Sequence, residues 1–254
     1  MTDIKNIKRD DCINFYNTYY APNNATIVVV GDVDTKEVLK KIEEAYGSIP
    51  SSKIPEHTLP VEPVQTSEKI IELQKEISSE KFLMGYHTPN ADHPDYPALE
   101  IAHCILFDGK SSRLQKILVN EKELATQSGG WVNQTKDPGL YIMDITMNPG
   151  KSMNDALTII DQEIEKLRNE EVSDQELEKA KNRIETSFWS HFRTVDDKAE
   201  LLGFHETVSL DFKHFFEEVP SLMKVTAKDV QRVIKTYLNQ SNRTIVKAYP
   251  KKAA

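Results

Sequence analysis

The sequence lacks several features that would each point directly to a function. Cysteine occurs only at Cys12 and Cys104, with neither metal nor redox spacing, so a zinc ribbon is excluded, and between a single disulfide and a reduced thiol pair the latter is the default. No apolar run reaches the roughly 20 residues that a bilayer span needs, and Met1 to Lys5 opens no hydrophobic leader. There is no G-x-S-x-G elbow and no glycine-rich phosphate loop, and Ser111-Ser112 lacks the strand–elbow context of a hydrolase serine. Positive charge is in deficit: 32 Lys and Arg stand against 40 Asp and Glu, a net charge of −8. That balance argues against nucleic acid or an anionic membrane surface as partner. What remains is the composition of an ordinary globular chain, 39% hydrophobic and 28% charged over 254 residues, long enough for a full core in one or two domains.

The chain does contain a repeat. Aligning Asp11 with Asp229, an offset of 218, also matches Thr18 to Thr236, Tyr19 to Tyr237, Asn24 to Asn242, Thr26 to Thr244, Ile27 to Ile245 and Val28 to Val246 without a gap. These are seven identities over eighteen positions, where average residue usage gives about one. Phe15/Val233 and Tyr16/Ile234 fall in the same register. Both copies read as a helix, an Asn-containing turn and a β-branched strand. One structural unit is then about as long as the offset, and the chain is expected to run from the tail of a first unit to the end of a second. On this reading residues 1–50 are that tail, 51–68 are a linker rich in proline (Pro55, Pro60, Pro63) and 69–254 are the second unit.

Local patterns fill in the elements. A helix is predicted over about 10–20, then a buried strand over Ala25–Val30, then a helix capped by Asp34 and ended at Gly47. Strands are predicted over 69–75 and 81–87, the second with little charge and so covered on both faces. A helix follows from Pro97 to Leu106 and another begins near Ser111. A hairpin pairs 126–133 with 140–147 around Asp137-Pro138-Gly139. The remainder is helical, with a capping box at Ser173–Glu176, until a final strand. Strand pairs followed by runs of helix indicate an α+β fold: an antiparallel or mixed sheet with helices on one face.

The stretch Tyr19-Tyr20-Ala21-Pro22-Asn23-Asn24-Ala25, the following Gly31-Asp32 and the closing Tyr46-Gly47-Ser48-Ile49-Pro50 resemble the end of a catalytic half in pitrilysin/insulinase-type (inverzincin) zinc peptidases. Gly85-Tyr86-His87-Thr88-Pro89, the helix from Pro97, Gly109-Lys110-Ser111-Ser112-Arg113-Leu114 and Glu121-Lys122-Glu123-Leu124-Ala125 resemble that family's second half, in the expected order. The resemblance covers nearly the whole chain. It implies a two-layer sandwich like that of LuxS and the mitochondrial processing peptidases. It further implies two homologous halves, zinc in the catalytic one, and a peptidase that encloses extended peptides.

Peptidases of this type carry His-x-x-Glu-His on one helix: two imidazoles a turn apart bind zinc and the Glu activates its water. No such pentad occurs among His57, His87, His93, His103, His191, His205 and His214. The string His214-Phe215-Phe216-Glu217-Glu218 reads as a solvated helix end, with Phe215 and Phe216 as core. By position, Glu100, His103 and Cys104 stand where the family's zinc helix has His, Glu and His. They share one helix face and would need a fourth ligand such as Glu178 or Glu185. They are expected not to bind metal. The family's substrate-holding Arg and Tyr are replaced by Val119 and Thr126, which leaves Arg113 as a stand-in on the substrate side.

The expected role is therefore that of a non-catalytic half, without catalytic residues or cofactor of its own, working with a homologous catalytic half that is fused or separate. A structural or assembly subunit is the alternative, and a metalloenzyme at Glu100/His103/Cys104 is a third. A homodimer, and a cytoplasmic or periplasmic location, stay open.

Overall fold

A computed structural model describes residues 2–56, 60 and 62–251, with the side chains of residues 2 and 3 excepted. Residues 57–59 and 61 of the proline-rich linker, His57 among them, lie outside the described residues, as do Met1 and 252–254. The chain divides into two compact units, one of residues 1–62 with 192–213 and one of 63–191 with 214–254. The division at 62/63 falls inside the linker, and 192–213 leaves the span 69–254 to join the first unit.

The second unit holds five strands: β1 Lys69–Lys75, β2 Lys81–Thr88, β3 Ala125–Val132, β4 Gly139–Met147 and β5 Arg243–Pro250. Their spatial order is β1-β5-β2-β4-β3. β5 runs parallel to β1 (Lys69 opposite Thr244) and antiparallel to β2 (Met84 opposite Ile245). β4 is antiparallel to β2 and β3. The sheet is thus mixed, and with its helices it makes the α+β architecture expected from the sequence.

Alternation decides which face is buried. Phe82, Met84 and Tyr86 of β2 and Tyr141, Met143, Ile145 and Met147 of β4 are all at most 1% exposed. Their neighbours Leu83 and Trp131 are 37% and 47% exposed. Burial on both faces of β2 is therefore not realised: uncharged residues line it, but only one face is packed by helices, as an antiparallel sheet permits.

That face meets α4 (Tyr96–Phe107), α5 (Met153–Asn169), α6 (Asp174–Ser190), α8 (His214–Lys224) and α9 (Ala227–Tyr237). Helix α4 is apolar almost all round, with nine of its twelve residues buried, so it must be enclosed by other elements. α5 instead buries a stripe, Ala156, Ile160, Ile164 and Leu167, and exposes the opposite side. Ser152 and Thr226 cap α5 and α9. Ser173 caps α6 without the reciprocal bond of a capping box, because the Glu176 carboxylate is engaged by Arg113. The helix expected from Ser111 is a π-helix over Gln115–Glu121. Helix α8 starts at His214 and runs through Pro220, so the predicted helix end is a beginning; Phe215 is 2% exposed but Phe216 is 61% exposed.

The first unit contains α1 (Thr2–Asn6), α2 (Arg9–Tyr19), α3 (Thr35–Tyr46) and α7 (Val195–Val208). Asp34 caps α3 through the amides of Lys36 and Glu37. Asn23 and Ser52 exchange two hydrogen bonds, at 2.9 and 3.0 Å.

The repeat is realised in its helix and its turn. At the same offset α2 maps onto α9 at both ends, and the 3-10 turn Pro22–Asn24 onto Gln240–Asn242. Asn24 Nδ2 donates to the Tyr19 carbonyl at 2.8 Å, and Asn242 Nδ2 to the Tyr237 carbonyl at 2.8 Å. The match stops at the strand. Ala25–Val30 forms no ladder with any of the described residues, with Ile27 and Val29 52% and 49% exposed, so the predicted buried strand is corrected to an unpaired segment. β-branched residues favour an extended backbone, but a strand also needs neighbours, and in the first unit none of the described residues supplies them.

Candidate functional site

The position to test is α4, where the sequence places Glu100, His103 and Cys104 on one face. Each of the three has a partner of its own. Glu100 Oε1 accepts from the Tyr96 hydroxyl at 2.9 Å. His103 Nδ1 lies 3.2 Å from the Tyr141 hydroxyl on β4, with its ring stacked on Phe107 and edge-on to Tyr141. Cys104 Sγ lies 3.8 Å from the Ala180 carbonyl of α6 and 3.9 Å from Asp108 Oδ2. Asp108 is held in turn by Arg183 at 2.7 Å.

The electrostatics of this cluster follow from burial. Burial pushes the Glu100 carboxyl up to about 7, although the Tyr96 hydrogen bond acts in the opposite sense. It pushes His103 down to about 4 and the Cys104 thiol up to about 12. Tyr96 and Tyr141 are raised well above the ordinary phenol range, again by burial. The Arg183 hydrogen bond holds Asp108 below the usual carboxylate value. A thiol held this high is a poor nucleophile, because attack needs the thiolate.

The donor set does not fit zinc. No group of three or more His, Cys, Asp or Glu among the described residues is placed to hold a metal ion. The contributions of α6 to this place are the Ala180 carbonyl and Arg183, not Glu178 or Glu185. His214, the other literal candidate, faces Asp92 at 3.6 Å.

The positions expected on a substrate side are equally occupied. Arg113 makes a two-pronged contact with Glu176, Nε at 2.8 Å and Nη2 at 2.6 Å, while Nη1 stands 3.7 Å from the buried Glu163. Val119 packs against the core. Thr126 sits beside a bulge in β3 and donates to the Thr146 carbonyl at 3.2 Å.

Sequence reasoning missed the partners Tyr96, Tyr141, Asp108 and Arg183. Tyr96 and Asp108 lie four residues from Glu100 and Cys104, so helical spacing places them close; Tyr141 and Arg183 come from β4 and α6, and no spacing links them to α4. It also missed the deepest buried charge. Arg243 on β5 has a side chain only 5% exposed and is held by Glu68 at 2.5 Å and by Asp161 of α5.

Residues 6–184 match a family model described as the peptidase M16 inactive domain. The chain belongs to this family. Among relatives of this M16 chain, a Helicobacter pylori protein named zinc protease PqqE is 28% identical over 97% of the chain and 56% of its own length. A crystal structure of a protease from Helicobacter pylori superposes with a TM-score of 0.89 at 28% identity, covering 98% of the chain and 61% of the other. An M16 inactive domain from Pseudomonas fluorescens gives 0.83 at 20% identity, over 98% and 58%, and shows the fold alone. The chain thus spans little more than half the length of these relatives. No described helix is long and apolar enough to cross a membrane.

Proposed function

We propose that this chain is the non-catalytic half of a zinc-dependent endopeptidase that encloses extended peptides together with a homologous, zinc-bearing half. The observation that carries the reading is α4. By the sequence reading it stands where the family carries its zinc helix, and Glu100, His103 and Cys104 are each turned to an internal partner. The relative named a zinc protease, matched over 56% of its length, supports a second half of comparable size. The proposed organisation keeps the boundaries of the sequence reading: a tail to residue 50, a linker to 68 and the inactive unit beyond.

Peptide hydrolysis is the test. The chain alone cleaves nothing, and together with the preceding unit it cleaves extended peptides in a chelator-sensitive manner. If that half is fused rather than a separate chain, the repeat offset puts the counterpart of Glu100–Cys104, and with it the His-x-x-Glu-His helix, about 115 to 120 residues upstream of Met1 in the reading frame. Chelator-sensitive cleavage by the chain alone would overturn it.

A second reading, an assembly subunit, is favoured by Val119 and Thr126, which are committed to packing and to a strand bond where substrate-holding side chains are expected. Under that reading the chain stabilises its partner but leaves the partner's KM for peptides unchanged. A severalfold fall in KM on adding the chain decides for enclosure.

A further inference from the structure

We propose that the first turn of α5 binds a phosphate group, free or carried by a phosphate ester, with the buried Lys247 of β5 as its counter-charge. The site goes beyond the peptidase reading and stands on the second unit alone.

Strand β5 sends two cations into the helix-covered face of the sheet, and only one of them is neutralised. Arg243 is held by two carboxylates, Glu68 and Asp161. Lys247 follows four residues later on the same face and is 8% exposed. Its one partner among the described residues is the neutral Asn154 Oδ1, at 3.3 Å. Glu72 stands opposite Lys247 in the β1–β5 register, but its carboxylate accepts from the Tyr249 hydroxyl at 3.3 Å and forms no ion pair with Nζ. Taking an ammonium out of water is offset only by an anion beside it, so a buried lysine of this kind calls for one.

The ammonium also meets a second positive pole. Asn154 is the second residue of α5, a helix of 17 residues, so Nζ lies at the end where the macrodipole is positive. Two like poles at one helical turn repel each other unless negative charge is placed beside them.

A cavity of about 370 Å³ opens at this turn, with Glu80, Lys151, Ser152, Met153, Asn154 and Tyr249 in its wall. That is more than ten times the roughly 30 Å³ share of one water, which leaves room for a phosphate and an attached ester group. Several donors converge there. The Asp155 amide is capped by Ser152 Oγ at 3.4 Å, which leaves the amides of Met153 and Asn154. The Ser152 hydroxyl keeps its own proton to donate. An ammonium can only donate, so Lys247 holds Oδ1 of Asn154 towards itself and leaves Nδ2 as a donor. Lys151 offsets Glu80 in charge, so Lys247 and the helix end set the sign of the site. Donors from backbone, amide, hydroxyl and ammonium suit a tetrahedral oxyanion; a planar carboxylate is matched by a two-pronged fork, which is absent from this wall.

Asn154→Asp supplies the negative charge from the protein itself, at a helix end that favours it. In phosphate-free buffer this variant melts about 2–4 °C above the parent. Replacing chloride by about 10 mM inorganic phosphate at constant ionic strength raises the melting temperature of the parent by at least about 3 °C. The variant rises by less than about 1 °C, which measures the general action of phosphate on folded proteins. Lys247→Met keeps the volume and removes the charge; it is equally unresponsive to phosphate and melts no lower than the parent. Glycerol phosphate tested beside inorganic phosphate separates the two sources: a shift with both assigns a phosphate ester, and a shift with inorganic phosphate alone assigns the free ion. A parent that responds to neither overturns the proposal. Equal shifts in the parent and both variants overturn it as well, because the effect then belongs to the solvent and not to the site.

Discussion

Glu100 and His103 stand one helical turn apart with opposed titration costs, and the sign of each is fixed by burial. The Glu100 carboxyl is raised from its ordinary 4.5 to about 7, so the stability it contributes is complete below 4.5 and is lost as pH rises towards 7. His103 is lowered from 6.5 to about 4, so its contribution is complete above 6.5 and is lost as pH falls towards 4. Between about pH 4.5 and 6.5 the two slopes cancel. Glu100→Gln keeps an acceptor for Tyr96 and removes one slope. Its unfolding free energy is expected to rise by about 2 kcal/mol from pH 4.5 to 6.5, at 1.4 kcal/mol per unit, where the parent is flat. Denaturant midpoints at the two pH values check this; parallel profiles would contradict it. Arg243 gives a second residue-scale expectation. Arg243→Ala strips Glu68 and Asp161 of their shared cation and costs about 2–4 kcal/mol, read as a lower denaturant midpoint at unchanged slope.

At the scale of elements, the edge hairpin offers a matched pair of substitutions. A Cβ on Gly130 would meet the Ile142 carbonyl oxygen at 2.2 Å, whereas one on Gly129 meets nothing within 4 Å. Gly130→Ala should therefore cost about 2 kcal/mol or more through strand displacement, and Gly129→Ala close to nothing; thermal melts of the two variants compare them directly. The same hairpin shows what local sequence can convey. Its strands were legible because alternation along β4 and the Asp-Pro-Gly turn are both written within a few residues. The burial of α4 was legible in its nearly unbroken apolar run. The fate of Ala25–Val30 was not, because its composition is that of a sheet strand and only the absence of neighbours distinguishes it from β5. The site was half legible: α4 spacing brought Glu100, His103 and Cys104 to one face, but Tyr141 and Arg183, which come from β4 and α6, meet them only after folding.

At the scale of the whole molecule, the first expectation concerns metal. Zinc or a chelator should leave the chain's melting temperature unchanged, since a ligand that binds the native state at 100 times its Kd adds about 2.7 kcal/mol. A zinc-dependent upward shift in a thermal scan would restore α4 as a metal site. The sheet order also carries a kinetic consequence. β2, β4 and β3 pair antiparallel with their neighbours, so this block is sewn together from contacts at modest separation along the chain. Among the described residues β1 pairs only with β5, and the Glu68–Arg243 bridge beside that pair closes a separation of 175 residues. Loop closure of that length is slow relative to local pairing. During refolding, or as the chain emerges in synthesis, β1 must wait as an open strand until nearly everything after it exists. Pulse-labelled hydrogen exchange should therefore find amides of β2 and β4 that face each other protected first, and the β1–β5 ladder last.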